Sequence, residues 1–433
     1  MKKQNFFKIP NQLFKSGTMT LVSLLFFVNT INAQNNLRVG YWQGNLELND
    51  STQLPFNFEV KYDVGFYTID FINAEERIST TEIAIQKDSV FIRMPVFDSE
   101  FRCVIKGDSL KGFWINHSRK DKKILLFKAI INPYYFNGGT SESWAKIPEG
   151  WKYEVTFSPD SPDSSKAIGL FKGNGQQIRG TFLTETGDYR FLFGYTAGLG
   201  SRPAGEGPRR IVLSCFDGSH AFLFVGIMND KGDRITNGHF YSGSHHHEPW
   251  VAKRNEQFKL AEPESLTYLK PGYSKVDFSF KNTEGKIISL QDEKFKNKVV
   301  IIQLMGTWCP NCMDETAFLA PFYDAYKNSG LEVVALAFER TTDYNKAVEN
   351  INRSKKKFNA GYEFLITGLP GKDQASAALP MLNKVMAFPT TIYIDKKGVV
   401  RKIYTGFSGP ATGAAYNQFA EETKQFTEKL LAE

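Results

Sequence analysis

The chain has 433 residues, 42% hydrophobic and 23% charged, with four cysteines and a formal net charge of +7. That length allows two or three domains, each with residues enough for its own core. Four of the lysines (Lys2, Lys3, Lys8 and Lys15) sit in a leader-like segment whose removal leaves +3, and no long basic run follows beyond Lys355-Lys356-Lys357, so nucleic-acid binding has no electrostatic support.

The leader comes first. Its lysines precede an apolar stretch from Met19 to Val28 and then Asn29-Thr30-Ile31-Asn32-Ala33, with no acidic residue before Glu47. Residues 1–33 therefore read as a secretory signal cleaved after Ala33. The stretch is short for a membrane span, and no cysteine stands near the cleavage point to carry a lipid anchor. A periplasmic or otherwise exported location is expected, the alternative being an uncleaved anchor facing the same compartment. In that oxidising space a dithiol that works as a reductase must be re-reduced, so a membrane or periplasmic thiol electron donor is expected as a partner.

Residues 34–260 alternate apolar and polar positions in short segments, among them Val90-Phe91-Ile92-Arg93-Met94, Phe113-Trp114-Ile115, Tyr153-Glu154-Val155-Thr156-Phe157 and Phe222-Leu223-Phe224-Val225. Turn clusters separate them: Lys106-Gly107-Asp108, Thr186-Gly187-Asp188 and Asn229-Asp230-Lys231-Gly232-Asp233. This pattern predicts an antiparallel all-β domain, a meander closed into a barrel or packed as a sandwich. A loose echo between Lys106–Phe113 and Lys172–Phe182 suggests hairpins of common design. Cys103 and Cys215 lie in strand-like segments as buried free thiols, with a bridge as the alternative. His245-His246-His247-Glu248, with His239 nearby, invites a metal reading, but consecutive histidines on a strand point in differing directions. Exposed loop histidines are the expected state, and no metal is assigned.

A polar, proline-bearing linker spans 261–272, Ala261 to Gly272. In residues 273–433 an apolar run, Val299-Val300-Ile301-Ile302-Gln303-Leu304-Met305, delivers Trp308-Cys309-Pro310-Asn311-Cys312. A buried strand followed by two cysteines at a helix start suits dithiol chemistry. Unpaired backbone N–H groups and the helix dipole stabilise a thiolate on Cys309, and Cys312 lies one turn on to resolve a mixed disulfide. Pro310 suits the first helical position, where an N–H would be orphaned. Leu331 to Phe338 then reads as a central strand and Asp343 to Phe358 as a helix. Met381 to Met386 leads into Ala387-Phe388-Pro389, followed by strands Thr390 to Ile394 and Val399 to Tyr404 around Lys396-Lys397-Gly398. The glycine-rich loop Gly406 to Gly413 follows the last strand, on the side expected to face the active site, and Gln418 to Leu431 is a closing helix.

These motifs resemble the TlpA/ResA-like branch of the thioredoxin-fold thiol-disulfide oxidoreductases. The resemblance rests on Phe278-Ser279-Phe280, Glu284-Gly285-Lys286, Leu290, Lys298-Val299-Val300, Gly306-Thr307-Trp308-Cys309-Pro310, Cys312 and the acidic Glu315 three positions on. It implies an α/β thioredoxin-like domain with a central mixed sheet flanked by helices. It also implies a cis Phe388–Pro389 bond, with Phe388 offering backbone groups to an extended substrate and Pro389 sitting against the sulfurs. For Glu315 it implies an influence on thiol ionisation, the alternative being a first-turn glutamate favoured by the helix dipole. Exported relatives often carry N-terminal β modules, so there the resemblance implies architecture and no activity. Two positions depart from thioredoxin patterns: Gln303 stands where cytosolic members bury an aspartate, and Ala317 where a kinking proline is usual, with Pro321 the nearest.

Competing uses of the two cysteines fare worse. All six histidines precede residue 248, which removes the histidine of a zinc or copper site and of a CPHC oxidase, and the Thr-x-x-Cys peroxidatic pattern is missing. The expected function is exported reduction or exchange of protein disulfides, with the Cys309–Cys312 pair as the redox centre and no other cofactor. The alternative is a β module that binds a ligand or protein while its dithiol domain serves as a redox switch.

Overall fold

The computed structural model describes residues 37–49, 51–132, 147–174, 176–199 and 207–433. The expected signal segment, 1–33, lies outside them. Among the described residues no helix is long and apolar enough to cross a membrane.

Alternating burial in the N-terminal half produces two sheets. Nine antiparallel strands, beginning with Gly40–Asn49 and ending with Ile124–Ile131, form an open sheet. Nine more, from Lys152–Phe157 to His246–Arg254, form a second sheet. In it Ser165–Asn174 pairs with both Lys152–Phe157 and Gln177–Thr184, which closes all but the two-residue Gly187–Asp188 strand into a barrel. The barrel interior is filled by aromatic rings: Phe224 lies 4.3 Å from both Phe182 and Phe240, centroid to centroid. A barrel of this strand number is just wide enough for side chains to fill.

Strand Arg209–Phe216 joins the two sheets because both of its faces are buried. Ile211, Leu213 and Cys215 point into the barrel core, while Val212 and Phe216 join the core of the open sheet. Phe216 stacks 4.7 Å from Phe56, and Asn73 exchanges side-chain hydrogen bonds with both backbone groups of Phe216 at 2.9 and 3.1 Å. Cys103 belongs to the open sheet's core and Cys215 to the barrel's, and both are free. The two echoing segments are indeed hairpins, with Lys106 opposite Ser109 and Asn174 opposite Gln177.

The C-terminal part is a seven-stranded mixed sheet in the order Ile287–Ser289, Ser279–Asn282, Glu363–Ile366, Leu331–Ala337, Val299–Met305, Thr390–Ile394, Val400–Thr405. Val299–Met305 is buried at every position and pairs parallel to Leu331–Ala337 and antiparallel to Thr390–Ile394, as a continuous apolar run at a sheet centre should. Its helices are α1 (Pro310–Tyr326), α2 (Tyr344–Phe358), α3 (Lys372–Ala378) and α4 (Ala414–Ala432). Asp343 is the N-cap of α2, its side chain accepting from the Lys346 N–H at 3.1 Å. Helix α4 starts a turn earlier than the expected Gln418, and the short α3 was not expected. Pro321 lies inside α1.

The β module and this domain are packed together. Val96, from the loop after strand Ser89–Arg93, is part of the C-terminal core, with Phe97 against it. Arg93 pairs with Glu349 at 2.9 Å, and Lys346 with Asp98 at 3.1 Å.

Candidate active site

Strand Val299–Met305 ends at Gly306, and the chain turns through Thr307 and Trp308 into α1. The turn is fixed by buried Glu339, which accepts from the Thr307 N–H and hydroxyl, both at 2.7 Å. Trp308 donates its indole N–H to the Phe338 carbonyl at 3.0 Å, and the Arg340 guanidinium lies 4.1 Å over its ring. Cys309 is the N-cap of α1 and Pro310 its first residue. The Cys309 sulfur accepts from the Cys312 N–H at 3.3 Å, so it occupies the place of the capping oxygen at a helix N-terminus. It also lies 3.5 Å from the Phe388 carbonyl, to which its S–H donates. The Phe388–Pro389 peptide is cis, and Phe388 packs edge-on to Trp308 at 5.9 Å.

Cys312 is fully buried. Burial, then the hydrogen bond with Cys309, pushes its thiol well above the ordinary range. Three residues on, Glu315 is also fully buried and lies in the second turn of α1, which disposes of a first-turn glutamate held by the dipole alone. Burial pushes its carboxyl up to about 7, against the pull of its bonds to Thr391 and Gln303. The Thr391 hydroxyl donates to one Glu315 oxygen, and Gln303 Nε2 donates to the other at 2.8 Å and to the Cys312 carbonyl at 3.2 Å. Gln303 thus links the carboxyl of Glu315 to the backbone of Cys312. A buried acid from the helix therefore stands beside the central-strand Gln303.

Sequence reasoning did not find what the β module contributes. Hairpin residues 184–190 lie on the start of α1. At Gly187, φ is +141°, a conformation that favours glycine, and a Cβ there would stand 1.9 Å from Asn311 Nδ2, so a side chain would strain the turn and displace the side chain of the residue between the two cysteines. Asp188 accepts from the Gly409 N–H at 2.6 Å, which brings the glycine-rich loop to the same seam. Arg190, nearly buried, pairs with Glu76 at 2.6 Å and with Asp314 of α1, while Asp217 stands 3.9 Å away. Burial opposes its charge, but Glu76, Asp217 and Asp188 hold the guanidinium above its ordinary range. Ser219 donates to the Trp308 carbonyl at 2.9 Å. Thr186-Gly187-Asp188 is visible in the sequence as a turn, but nothing in it announces a distant helix as its neighbour.

His239, His246 and His247 lie elsewhere, on the barrel strands Arg234–Ser242 and His246–Arg254. His239 Nδ1 and His247 Nε2 are 3.0 Å apart, and His246 contacts Glu248 at 3.0 Å. Among the described residues no three His, Cys, Asp or Glu side chains are placed to hold a metal ion.

Residues 270–418 match the model of the family described as Redoxin. The chain is 30% identical over 138 residues to the thioredoxin-like protein YneN of Bacillus subtilis, covering 32% of this chain and 73% of that one. It is 32% identical over 133 residues to the thiol-disulfide oxidoreductase ResA of Bacillus cereus, covering 30% of this chain and 68% of that one. The ResA of Geobacillus thermodenitrificans is 29% identical over 140 residues, 32% of this chain and 72% of its own.

Proposed function

The chain belongs to the ResA-like thiol-disulfide oxidoreductases of the Redoxin family, and on that premise we propose that it is exported and reduces protein disulfides through Cys309 and Cys312. The observation that carries this reading is the placement of Cys309: its sulfur caps α1, faces the Phe388 carbonyl, and has the Cys312 N–H at 3.3 Å. In the proposed sequence the Cys309 thiolate attacks one sulfur of a substrate disulfide, and the other leaves as a thiolate that takes up a proton. Phe388 meanwhile pairs its backbone with the extended substrate segment. Cys312, buried and protonated, then gives its proton to Glu315 and attacks Cys309, expelling the second substrate sulfur as a thiolate that takes up a proton from solvent and leaving a Cys309–Cys312 disulfide. A thiol donor outside the chain returns the pair to the dithiol. Trp308, Pro310 and Pro389 shape this surface and carry no proton or electron.

Steady-state reduction of insulin's interchain disulfides, with dithiothreitol as terminal reductant, tests the reading. The unmutated chain should accelerate the reaction, Cys309→Ser should fall to the uncatalysed rate, and Cys312→Ser should keep only the slower turnover that dithiothreitol supports by releasing its mixed disulfide. An unmutated chain no faster than the reductant alone would leave the dithiol as a redox switch serving the β module.

A further inference from the structure

Two adjoining cavities, of about 890 and about 230 Å³, open beside the dithiol, and both are lined by Ser118, Arg119, Lys120, Trp308 and Arg340. The larger also reaches Phe388, whose carbonyl faces the Cys309 sulfur. One wall is the loop between strands Ser109–Asn116 and Ile124–Ile131 of the β module. The other is made by the chain after strand Leu331–Ala337 and by the start of α3.

The charges of the larger groove are one-sided: Arg119, Lys120, Arg340 and Lys372 line it against the single carboxylate of Asp121. Elsewhere along the same seam cations are matched, Arg190 by Glu76 and Asp314, Arg93 by Glu349, and Lys346 by Asp98. Among the described residues none of the four groove cations has a carboxylate at ion-pair distance. Their mutual repulsion is felt within the groove. Burial and then the charge of Arg340 push the Arg119 guanidinium down to about 10, and burial and then the charge of Arg119 push His245, also on the wall, down to about 4. Like charges held together in a cleft focus a positive potential, and a bound carboxylate relieves it, most effectively when guanidinium forks grip it with two bonds.

We propose that this groove recognises acidic side chains flanking the cysteines of a protein disulfide, with Arg119 and Lys120 of the β module and Arg340 and Lys372 of the dithiol domain as specificity-determining residues. The inference rests on the disulfide-reducing reading above and names its substrate class. It also gives the β module a task, that of forming half of the substrate groove. In the reaction the thiols of Cys309 and Cys312 become one disulfide, the substrate disulfide becomes two thiols, and both electrons come from the reduced chain.

The test uses the pre-reduced chain in single turnover against two synthetic peptides, each with one internal disulfide, differing only in flanking Glu or Gln. The Glu peptide should react about tenfold faster at low ionic strength. That ratio should fall as salt shortens the screening length below the width of the groove. Arg119→Gln with Lys120→Gln should bring the ratio close to one, and Lys372→Gln, on an exposed helix start, should lower it in part. A ratio taken within each variant is insensitive to the fraction folded or to dithiol reactivity. Reduction of both peptides at equal rates by the unmutated chain, or a ratio unchanged in the variants, overturns the inference alone. Reduction of neither peptide overturns the disulfide-reducing reading with it.

Discussion

Replacing Arg190 with Met should destabilise the full chain by about 3–5 kcal/mol, because it removes the common partner of carboxylates taken out of water. Arg190 is only 7% exposed in its side chain, and it holds Glu76 of the open sheet and Asp314 of α1 at once, with Asp217 nearby. Desolvated carboxylates left without that charge must stay unpaired or take up protons. Arg93→Met is the control. Its pair with Glu349 also bridges the β module and the dithiol domain, but both side chains are at least 40% exposed, so the loss should be under about 1 kcal/mol. Chemical denaturation of both variants decides. Equal small losses would mean that the seam at the dithiol is a solvated contact and not a buried anchor.

Glu315→Gln should change both stability and the resolving step. The carboxyl sits at about 7 in the folded chain against an ordinary value of 4.5, so folding makes the proton bind more tightly and it is the charged form that is penalised. That penalty is absent below about pH 4.5, grows as pH rises through about 7 and is complete above it. At ~1.4 kcal/mol for each tenfold gain in proton affinity, the stability of Glu315→Gln relative to the unmutated chain should rise by about 3 kcal/mol between acidic and mildly alkaline pH. Kinetically, Cys312 cannot attack until its proton is taken. Resolution by the unmutated chain should therefore speed up as pH rises through about 7 and then level off. The Gln variant should be about a hundredfold slower and lack that rise. A variant whose resolution keeps the same step near neutrality would remove Glu315 from the proton path.

What was legible in the sequence was local. The run Val299–Met305 is apolar at all but one position because both faces of the strand are covered, and it delivers a cysteine pair whose proline marks the helix start. The Phe388-Pro389 step stands out for the same reason, since its chemistry is written in adjacent residues. Less was legible where distant segments decide. Whether the β module forms a barrel depends on Ser165–Asn174 finding two partners, and alternation alone leaves that open. Helix α3 has seven residues, too few for a periodic signal, and the first turn of α4, Ala-Ala-Tyr-Asn, reads as an extension of the glycine-rich loop before it. The Gln303 substitution was visible as a missing acid, but its bond to Glu315 required the strand and helix to be side by side. Arg190 and Asp314 are farther apart still, with no pattern to link them before folding.

The central claim is that Cys309 is the attacking sulfur and Cys312 the resolving one, and intact-mass analysis of each Ser variant challenged with a disulfide-bonded protein substrate tests it most directly. Cys312→Ser should accumulate a covalent adduct of chain and substrate joined through Cys309, released by excess small thiol, and Cys309→Ser should accumulate none. Equal trapping by the two variants, or an adduct on Cys312 alone, would contradict the account.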